Sequence, residues 1–526
     1  MKITGAMLIG QTEVFGTQDM LHALNPSTGV ALEPTFGGGG DSEVDRACRL
    51  AADAFDSFRE SSLVARAAFL RSIGAGLLAL GDTLTDRAHE ESGLPKARLT
   101  GERGRTIGQL EMFANIVEDG RWIDATIDTA MPERKPLPRV DLRLRRIPLG
   151  PVAIFGASNF PLAFSIAGGD SASALAAGCP IVVKAHPAHL GTSELVGRVI
   201  QKAVSDAGFH EGVFSLVVGK GIEIGQALVT HPAIQAVGFT GSRAGGLSLM
   251  RAAAARPEPI PVYAEMSSIN PVFLLPSALA EKTPTIAKSY VDSVTLGVGQ
   301  FCTNPGMVVA LEGEALLQFI EAASAEASSR PSGTMLTSGI HSAFLAGVAK
   351  LSAAQPVTSL VVKATPETSC QAAPALFAVD AADVLKNPDL ATEVFGPSSV
   401  IVRCRDTTQM LNVAAQMEGQ LTASLFASEP DDTLARELLA ILEKKVGRIV
   451  YNGFPTGVEV GWAMVHGGPY PATSDSRTTS VGAGAIDRFL RPVSYQDVPA
   501  RLLPEAIQDN NPLHIPQTRD TVFQYG

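Results

Sequence analysis

Cysteine is scarce in this chain: Cys48, Cys179, Cys302, Cys370 and Cys404 are the only five, with no CxxC pair and no histidine at zinc spacing. An odd, dispersed set excludes a disulfide framework and a structural metal, and points to a reducing compartment. Uninterrupted apolar runs of about 18 residues, the length that crosses a bilayer, are also missing. Met1-Lys2-Ile3-Thr4-Gly5 opens without the basic stretch and long apolar core of a leader peptide. The expectation is a soluble, cytoplasmic protein with no membrane partner. Charged residues are few, at 18%, and Asp plus Glu (53) outnumber Lys plus Arg (42), for a net charge of −11. With no dense basic stripe, nucleic acid is excluded as a partner. Repeats and disorder-like composition are absent too.

What the chain does have is 45% hydrophobic residues, 50 glycines and 34 prolines over 526 positions. That suits a compact α/β enzyme of two to four domains with many short turns. Apolar spacing predicts a helix over 43–82, capped by Asp41 or Ser42, and a second over 96–117 carrying Arg103, Arg105, Gln109 and Phe113. The proline-rich stretch 131–138 reads as a connector. Val140–Ile147 alternates apolar and basic residues, as does a strand exposed on one face, suited to an oligomer contact.

From Pro151 the pattern changes. Apolar runs at 152–155, 180–184, 214–218, 236–239 and 260–263 alternate with helical stretches near 166–177, 192–207, 223–230 and 243–255. Strands without polar alternation, separated by helices, imply a parallel sheet covered on both faces. This is a Rossmann-like layout, whose ligands sit at the carboxyl ends of the strands. GxGxxG is absent; Gly238-Phe-Thr-Gly-Ser242 is the nearest glycine-rich turn. A second β/α region spans about 265–450, and a proline-rich tail from 484 runs extended along another part of the molecule or a partner subunit.

Several polar side chains stand at strand ends. Asn159 follows Phe155-Gly-Ala-Ser, Lys184 follows Ile181-Val-Val, and Glu265 follows Val262-Tyr-Ala. Cys302 lies in Gly299-Gln-Phe-Cys-Thr-Asn-Pro-Gly306. Taken singly, each polar residue is equally a satisfied cap or turn, and the thiol an ordinary packed side chain. Their convergence on one sheet edge is what argues for chemistry.

In order and spacing, Asn159-Phe-Pro161, Lys184, Gly238-Phe-Thr-Gly-Ser242, Glu265, Gln300-Phe-Cys302 and Glu393-Val-Phe-Gly-Pro397 resemble the aldehyde dehydrogenase superfamily, over about residues 20–490. Cys302-Thr-Asn-Pro-Gly306, Glu265-Met-Ser-Ser268 and the segment His466–Ser474 are similar to the ketoglutarate semialdehyde (2,5-dioxopentanoate) dehydrogenases, whose neighbours are NADP-dependent fatty aldehyde dehydrogenases. The resemblance implies three parts: a Rossmann-like cofactor domain (1–129 and 150–263), a β/α catalytic domain (264–450), and oligomerisation strands with an extended tail (130–149 and 484–526). It implies a homodimer or homotetramer.

The resemblance also assigns roles. Cys302 attacks the aldehyde as a thiolate, and the Asn159 amide with the Cys302 backbone N–H holds the oxyanion. Glu265 activates water to release the acid from a thioester and helps deprotonate Cys302. Gly241 and Ser242 receive a pyrophosphate, Lys184 the adenosine ribose, and Glu393 the nicotinamide ribose, with Phe395 packed nearby. Pro187 stands where NAD-preferring relatives often carry Glu, and Lys220 is within reach of a 2′-phosphate. NADP is therefore expected, with NAD the alternative. Relatives acting on carboxylated aldehydes often carry Arg where this chain has Ala167. Arg105 is nominated as the carboxylate anchor instead, with Gln109 one turn on and Phe160, Phe164 and Phe454 as tunnel walls. His186, His189 and His466 are read as structural, and no metal is assigned. The rival readings are a broad NADP-dependent medium- or long-chain aldehyde dehydrogenase, a thiol hydrolase or acyl-transfer enzyme without nicotinamide, and a non-catalytic module.

Overall fold

The structure, a computed structural model, describes residues 1–363 and 370–525. The five apolar runs after Pro151 form parallel strands in the order Val262–Glu265, Ala236–Thr240, Val152–Phe155, Ile181–Lys184, Phe214–Val217. Helices Gly169–Ala177, Leu190–Asp206, Glu223–Thr230 and Arg243–Ala254 connect them. Strands covered on both faces need no polar alternation, and Val152–Phe155 and Phe214–Val217 are buried throughout. The sheet is wider than the sequence suggests. A hairpin of Met7–Ile9 and Thr12–Val14 adds two antiparallel strands beyond Phe214–Val217. Strands of three residues are too short to show a period.

The helix expected over 43–82 is in fact two, Asp41–Arg59 and Leu63–Ala79. The break has a cause: Ser62 caps the second helix, accepting from the Ala65 N–H at 3.2 Å. Nor is the first helix capped by Asp41 or Ser42. Gly40 holds that place, and the Glu43 carboxylate accepts its N–H at 2.8 Å. Arg66 ties the two together. Only 1% exposed, it donates to the carbonyls of Phe58, Arg59, Ser61 and Ala176. Lys96–Asp119 packs along Leu63–Ala79 and carries Arg98 and Arg105 toward the second half of the molecule.

That half is built on a second seven-stranded sheet in the order Thr358–Val362, Ala375–Asp380, Ser398–Cys404, Met307–Leu311, Pro271–Leu274, Gln420–Phe426, Val446–Tyr451. Only the edge strand Thr358–Val362 is antiparallel. Helices Pro276–Thr295 and Glu314–Ser329 cover one face, and helices between residues 338 and 442 cover the other, giving a separate apolar core on each side.

A third sheet joins Leu490–Gln496, Leu142–Pro148, Ala125–Asp128, Gln517–Arg519 and Val522–Gln524. Ala125–Asp128 therefore belongs with this sheet, not with the segment 1–129 to which the sequence assigns it. Residues after Tyr451 return across the molecule to the first sheet. There Thr473 bridges Glu265, the Met266 N–H reaches the Ala472 carbonyl at 2.8 Å, and the Ser474 N–H reaches the Ala264 carbonyl at 3.0 Å. This returning strap carries His466.

Candidate active site

Strand register places the site. Phe155 pairs with Lys184, Phe239 with Phe155, and Thr240 with Glu265, so these strands end at one edge. The loops leaving that edge hold Asn159, Gly241 and Ser242. Ser242 caps the twelve-residue helix Arg243–Ala254, accepting from the Gly245 N–H at 3.2 Å.

Cys302 arrives from the opposite half through a strained turn. Gly297, Val298 and Gly299 all have positive φ, at 56°, 58° and 64°. For Val298, a β-branched residue, that is an unusual backbone. A Cβ on Gly299 would lie 2.2 Å from the Gly396 carbonyl oxygen, so only glycine lets this turn press against the Glu393–Pro397 loop. Asn270 fixes the far side, donating to the Cys302 carbonyl at 2.8 Å and the Asn304 carbonyl at 2.9 Å.

Between the halves lies a cleft of about 760 Å³ lined by Asn159, Lys184, Gly241, Ser242, Glu265, Cys302, Glu393 and Phe395 among others. At its inner end Cys302 Sγ is 3.4 Å from His466 Nε2, which is 3.1 Å from Glu265 Oε2. Ser480 Oγ donates to the same carboxylate oxygen at 3.3 Å. The Asn159 amide donates to the Gln300 carbonyl at 3.0 Å, two residues before the thiol. The Asn159 carbonyl in turn accepts from Arg98 at 2.7 Å.

Electrostatics separate the titrating groups. Burial pushes the Cys302 thiol well above its usual range, and the neighbouring Glu265 carboxylate adds to this. Burial acts to raise Glu265 as well, but His466, the thiol and Ser480 outweigh it and leave the carboxyl below its ordinary value. Glu393 is pushed up to about 7 by burial, against hydrogen bonds from Ser267 and Ser268. Burial brings Lys184 down to about 8. Among the described residues no carboxylate lies within ion-pair distance of Lys184.

Beside the thiol, Phe160, Phe164 and Phe301 cluster edge to face, with Val458, Val460, Met464 and Val481 around them. Arg105 lies over Phe160 and Phe164, 5.8 and 5.3 Å from the ring centres. Its Nε and Nη2 are buried without a hydrogen-bond partner among the described residues, and burial lowers its pKa. Arg98 sits between the Phe160 and Phe301 rings.

Three nominated residues lie elsewhere. Lys220 is exposed, and at that point the cleft is lined by Gly221 and Ile222 instead. Gln109 is buried with its amide on the Ala163 carbonyl at 3.4 Å, bracing the Phe164 loop instead of facing a ligand. Phe454 is not a wall beside the thiol; it packs on Phe426 and Tyr290 in a core of the second half, and Phe301 takes the place expected of it. In the other direction, His466 is no bystander: it touches both the thiol and the carboxylate. Its only sequence signal is the motif around it, because nothing local says that the strap folds back. Nothing in the sequence singles out Phe301, next to Cys302, or Arg98, two turns before Arg105, for the places they take beside the thiol. His189 is held by the Ala157 carbonyl and Ser193, whereas His186, also read as structural, lines the cleft.

Comparison with known proteins agrees with this geometry. The aldehyde dehydrogenase family model matches residues 14–469. The chain is 58% identical over 521 residues to alpha-ketoglutaric semialdehyde dehydrogenase 2 of Azospirillum brasilense, covering 99% of both chains. It is 48% identical over 474 residues to alpha-ketoglutaric semialdehyde dehydrogenase of Acinetobacter baylyi, covering 90% of both. In fold it resembles 1-pyrroline-5-carboxylate dehydrogenase from Thermus with bound NAD, at a TM-score of 0.78 and 22% identity over 94% of this chain and 92% of that one. A thiol hydrolase without nicotinamide would have no use for Lys184, Ser242 and Glu393 gathered around the same cleft. With family-wide similarity along most of its length and a thiol at the meeting point of two β/α halves, this chain belongs to the aldehyde dehydrogenase family.

Proposed function

We propose that the chain oxidises 2,5-dioxopentanoate (α-ketoglutarate semialdehyde) to 2-oxoglutarate, with NADP as acceptor and a covalent adduct on Cys302. The observation that carries the substrate is Arg105. Its guanidinium is held over two aromatic rings, with two buried nitrogens that have no hydrogen-bond partner among the described residues. A half-buried cation with two desolvated donors asks for an anion, and the C1 carboxylate of the substrate answers it while the aldehyde reaches the thiol. The names of the two relatives with highest identity above point to the same substrate.

The cleft fits a nicotinamide dinucleotide. Lys184 is a half-buried cation without an acidic partner among the described residues, Ser242 opens a helix whose N-terminus favours a diphosphate, and Glu393 with Phe395 marks the other end. Lys184, His186 and Pro187 line the adenosine end, and none of the three carries a carboxylate that would repel a 2′-phosphate. That composition supports NADP, through Lys184 and His186 more than through the exposed Lys220.

What a bound nicotinamide supplies is a hydride acceptor. Everything else falls to the chain's own side chains. The thiol proton of Cys302 leaves through His466 Nε2 toward Glu265, freeing sulfur to attack the carbonyl carbon. The Asn159 amide and the Cys302 backbone N–H receive the oxyanion; losing one such donor typically costs about 2.7–4 kcal/mol. Glu265 passes the thiol proton on to solvent and, again a carboxylate after oxidation, takes a proton from the water that hydrolyses the thioester. In the cell we place the protein in the cytoplasm, as a homodimer or homotetramer assembled through the third sheet.

The test is kcat/KM for 2,5-dioxopentanoate, succinic semialdehyde and hexanal with each cofactor. The reading expects the first substrate with NADP to be best. Preference for hexanal would replace it with the medium- or long-chain aldehyde reading, which the apolar cluster of Phe160, Phe164, Phe301 and Val460 favours.

A further inference from the structure

The three side chains at the inner end of the cleft also have the geometry of a metal site. Cys302 Sγ, His466 Nε2 and Glu265 oxygen all lie within 4.8 Å of one another, with two of the separations at 3.4 and 3.1 Å. Zinc binds thiolate sulfur at about 2.3 Å, imidazole nitrogen at about 2.0–2.1 Å and carboxylate oxygen at about 2.0–2.2 Å, in a tetrahedron. A tetrahedron with those arms has ligand-to-ligand edges of roughly 3.3–3.6 Å. The two separations thus sit within a few tenths of an ångström of what a bound ion requires.

Burial and access both suit an ion. His466 is 1% exposed and Glu265 3%. Yet Cys302 and Glu265 line the open cleft, which provides an entry path. His466 Nδ1 has no hydrogen-bond partner among the described residues. The Glu265 carboxylate, 3.1 Å from Nε2, holds the imidazole proton there, so Nε2 presents its lone pair to an ion once that proton shifts to Nδ1. A set of one thiolate, one imidazole and one carboxylate selects zinc-like cations over magnesium or calcium, which prefer all-oxygen shells.

We propose that Cys302, Glu265 and His466 form a reversible inhibitory site for a thiophilic divalent cation of the zinc type. On binding, a metal–sulfur bond replaces the S–H bond and that proton goes to solvent. The imidazole proton moves from Nε2 to Nδ1, and nothing is oxidised or reduced. The ion occupies the sulfur lone pair needed for attack and the carboxylate oxygen needed to activate water. Both halves of the reaction stop until a chelator removes it.

The experiment uses full-length, tag-free protein with neither aldehyde nor cofactor. Zinc affinity is read by competition with a chromophoric chelator, and cobalt(II) serves as the spectroscopic probe. The expected result is a single zinc per chain and a thiolate-to-cobalt charge-transfer band, both lost in Cys302→Ala. His466→Gln should weaken zinc by at least the roughly 10–100-fold that loss of a mere outer partner of a metal ligand costs. Cys370→Ala, which alters the other half-buried thiol, should change neither signal. Zinc bound equally well by Cys302→Ala, or cobalt bound without the charge-transfer band, would overturn the site. Melting curves confirm that the variants are folded. Such a failure would leave the oxidation proposed above standing, since no turnover enters the measurement.

Discussion

At the scale of single residues, roles divide by what each side chain touches. Cys302→Ala should abolish aldehyde oxidation while leaving nicotinamide nucleotide binding nearly intact, as read by the absorbance of reduced cofactor and by fluorescence titration. Residual turnover in that variant would remove the sulfur from the chemistry. Arg105→Ala should raise KM for carboxylate-bearing semialdehydes by roughly 10- to 150-fold, the value of a charge-assisted hydrogen bond at about 1.5–3 kcal/mol, with little change for hexanal. Equal effects on both substrates would take Arg105 out of the pocket. Lys184, brought down to about 8 by burial, sets a pH dependence. The ammonium is the form that attracts an anionic ligand, so NADP affinity should fall as pH rises through about 8. Lys184→Gln should bind weakly and with a flat profile; a wild-type profile that is already flat would contradict the assignment. At this scale the sequence was legible wherever a polar side chain ended an apolar strand, as at Asn159, Lys184 and Glu265. It was opaque at His466, because contact with Cys302 and Glu265 depends on where a distant segment returns.

Elements were readable in proportion to their length and burial. The five central strands from Val152 to Glu265 and their helices follow from apolar runs that alternate with 3.6-residue periodicity. The hairpin Met7–Val14 escaped because three-residue strands carry no period. The break at Glu60–Ser62 escaped because apolar spacing continues across it, and only Ser62 marks the new start. Arg66 explains how that break is held. Its guanidinium satisfies carbonyls at the end of Asp41–Arg59 and near the end of Gly169–Ala177, and has no carboxylate partner among the described residues. Arg66→Met should therefore lower unfolding free energy by about 3 kcal/mol or more, measured by denaturant titration. Arg66→Lys should not restore it, since an ammonium cannot span four carbonyls set in a fork. A loss below about 0.5 kcal/mol, the range of ordinary surface changes, would show the cluster to be incidental.

For the whole molecule, the third sheet is the part without a finished boundary. Its outer strand Val522–Gln524 is exposed along its length, and Tyr525 beyond it is 83% exposed. Unpaired edges with apolar side chains invite a partner strand. Val522→Lys combined with Phe523→Lys should shift the mass measured by light scattering toward the 54.9 kDa of one chain. An unchanged mass would remove this edge as the subunit contact of the proposed oligomer. Sequence alone foresaw a strand near 140–147 and an extended tail, but not which edge the tail would leave open, since pairing order depends on three dimensions.

The strap that leaves Tyr451 and docks Thr473 against Glu265 has a further consequence. Sulfur, carboxylate and imidazole come from three stretches of chain that meet only after both halves have closed on each other. Until that crossing is made the three groups lie apart, and the oxidation proposed above has no assembled site. Under that proposal, activity would report that both halves and the strap have come together.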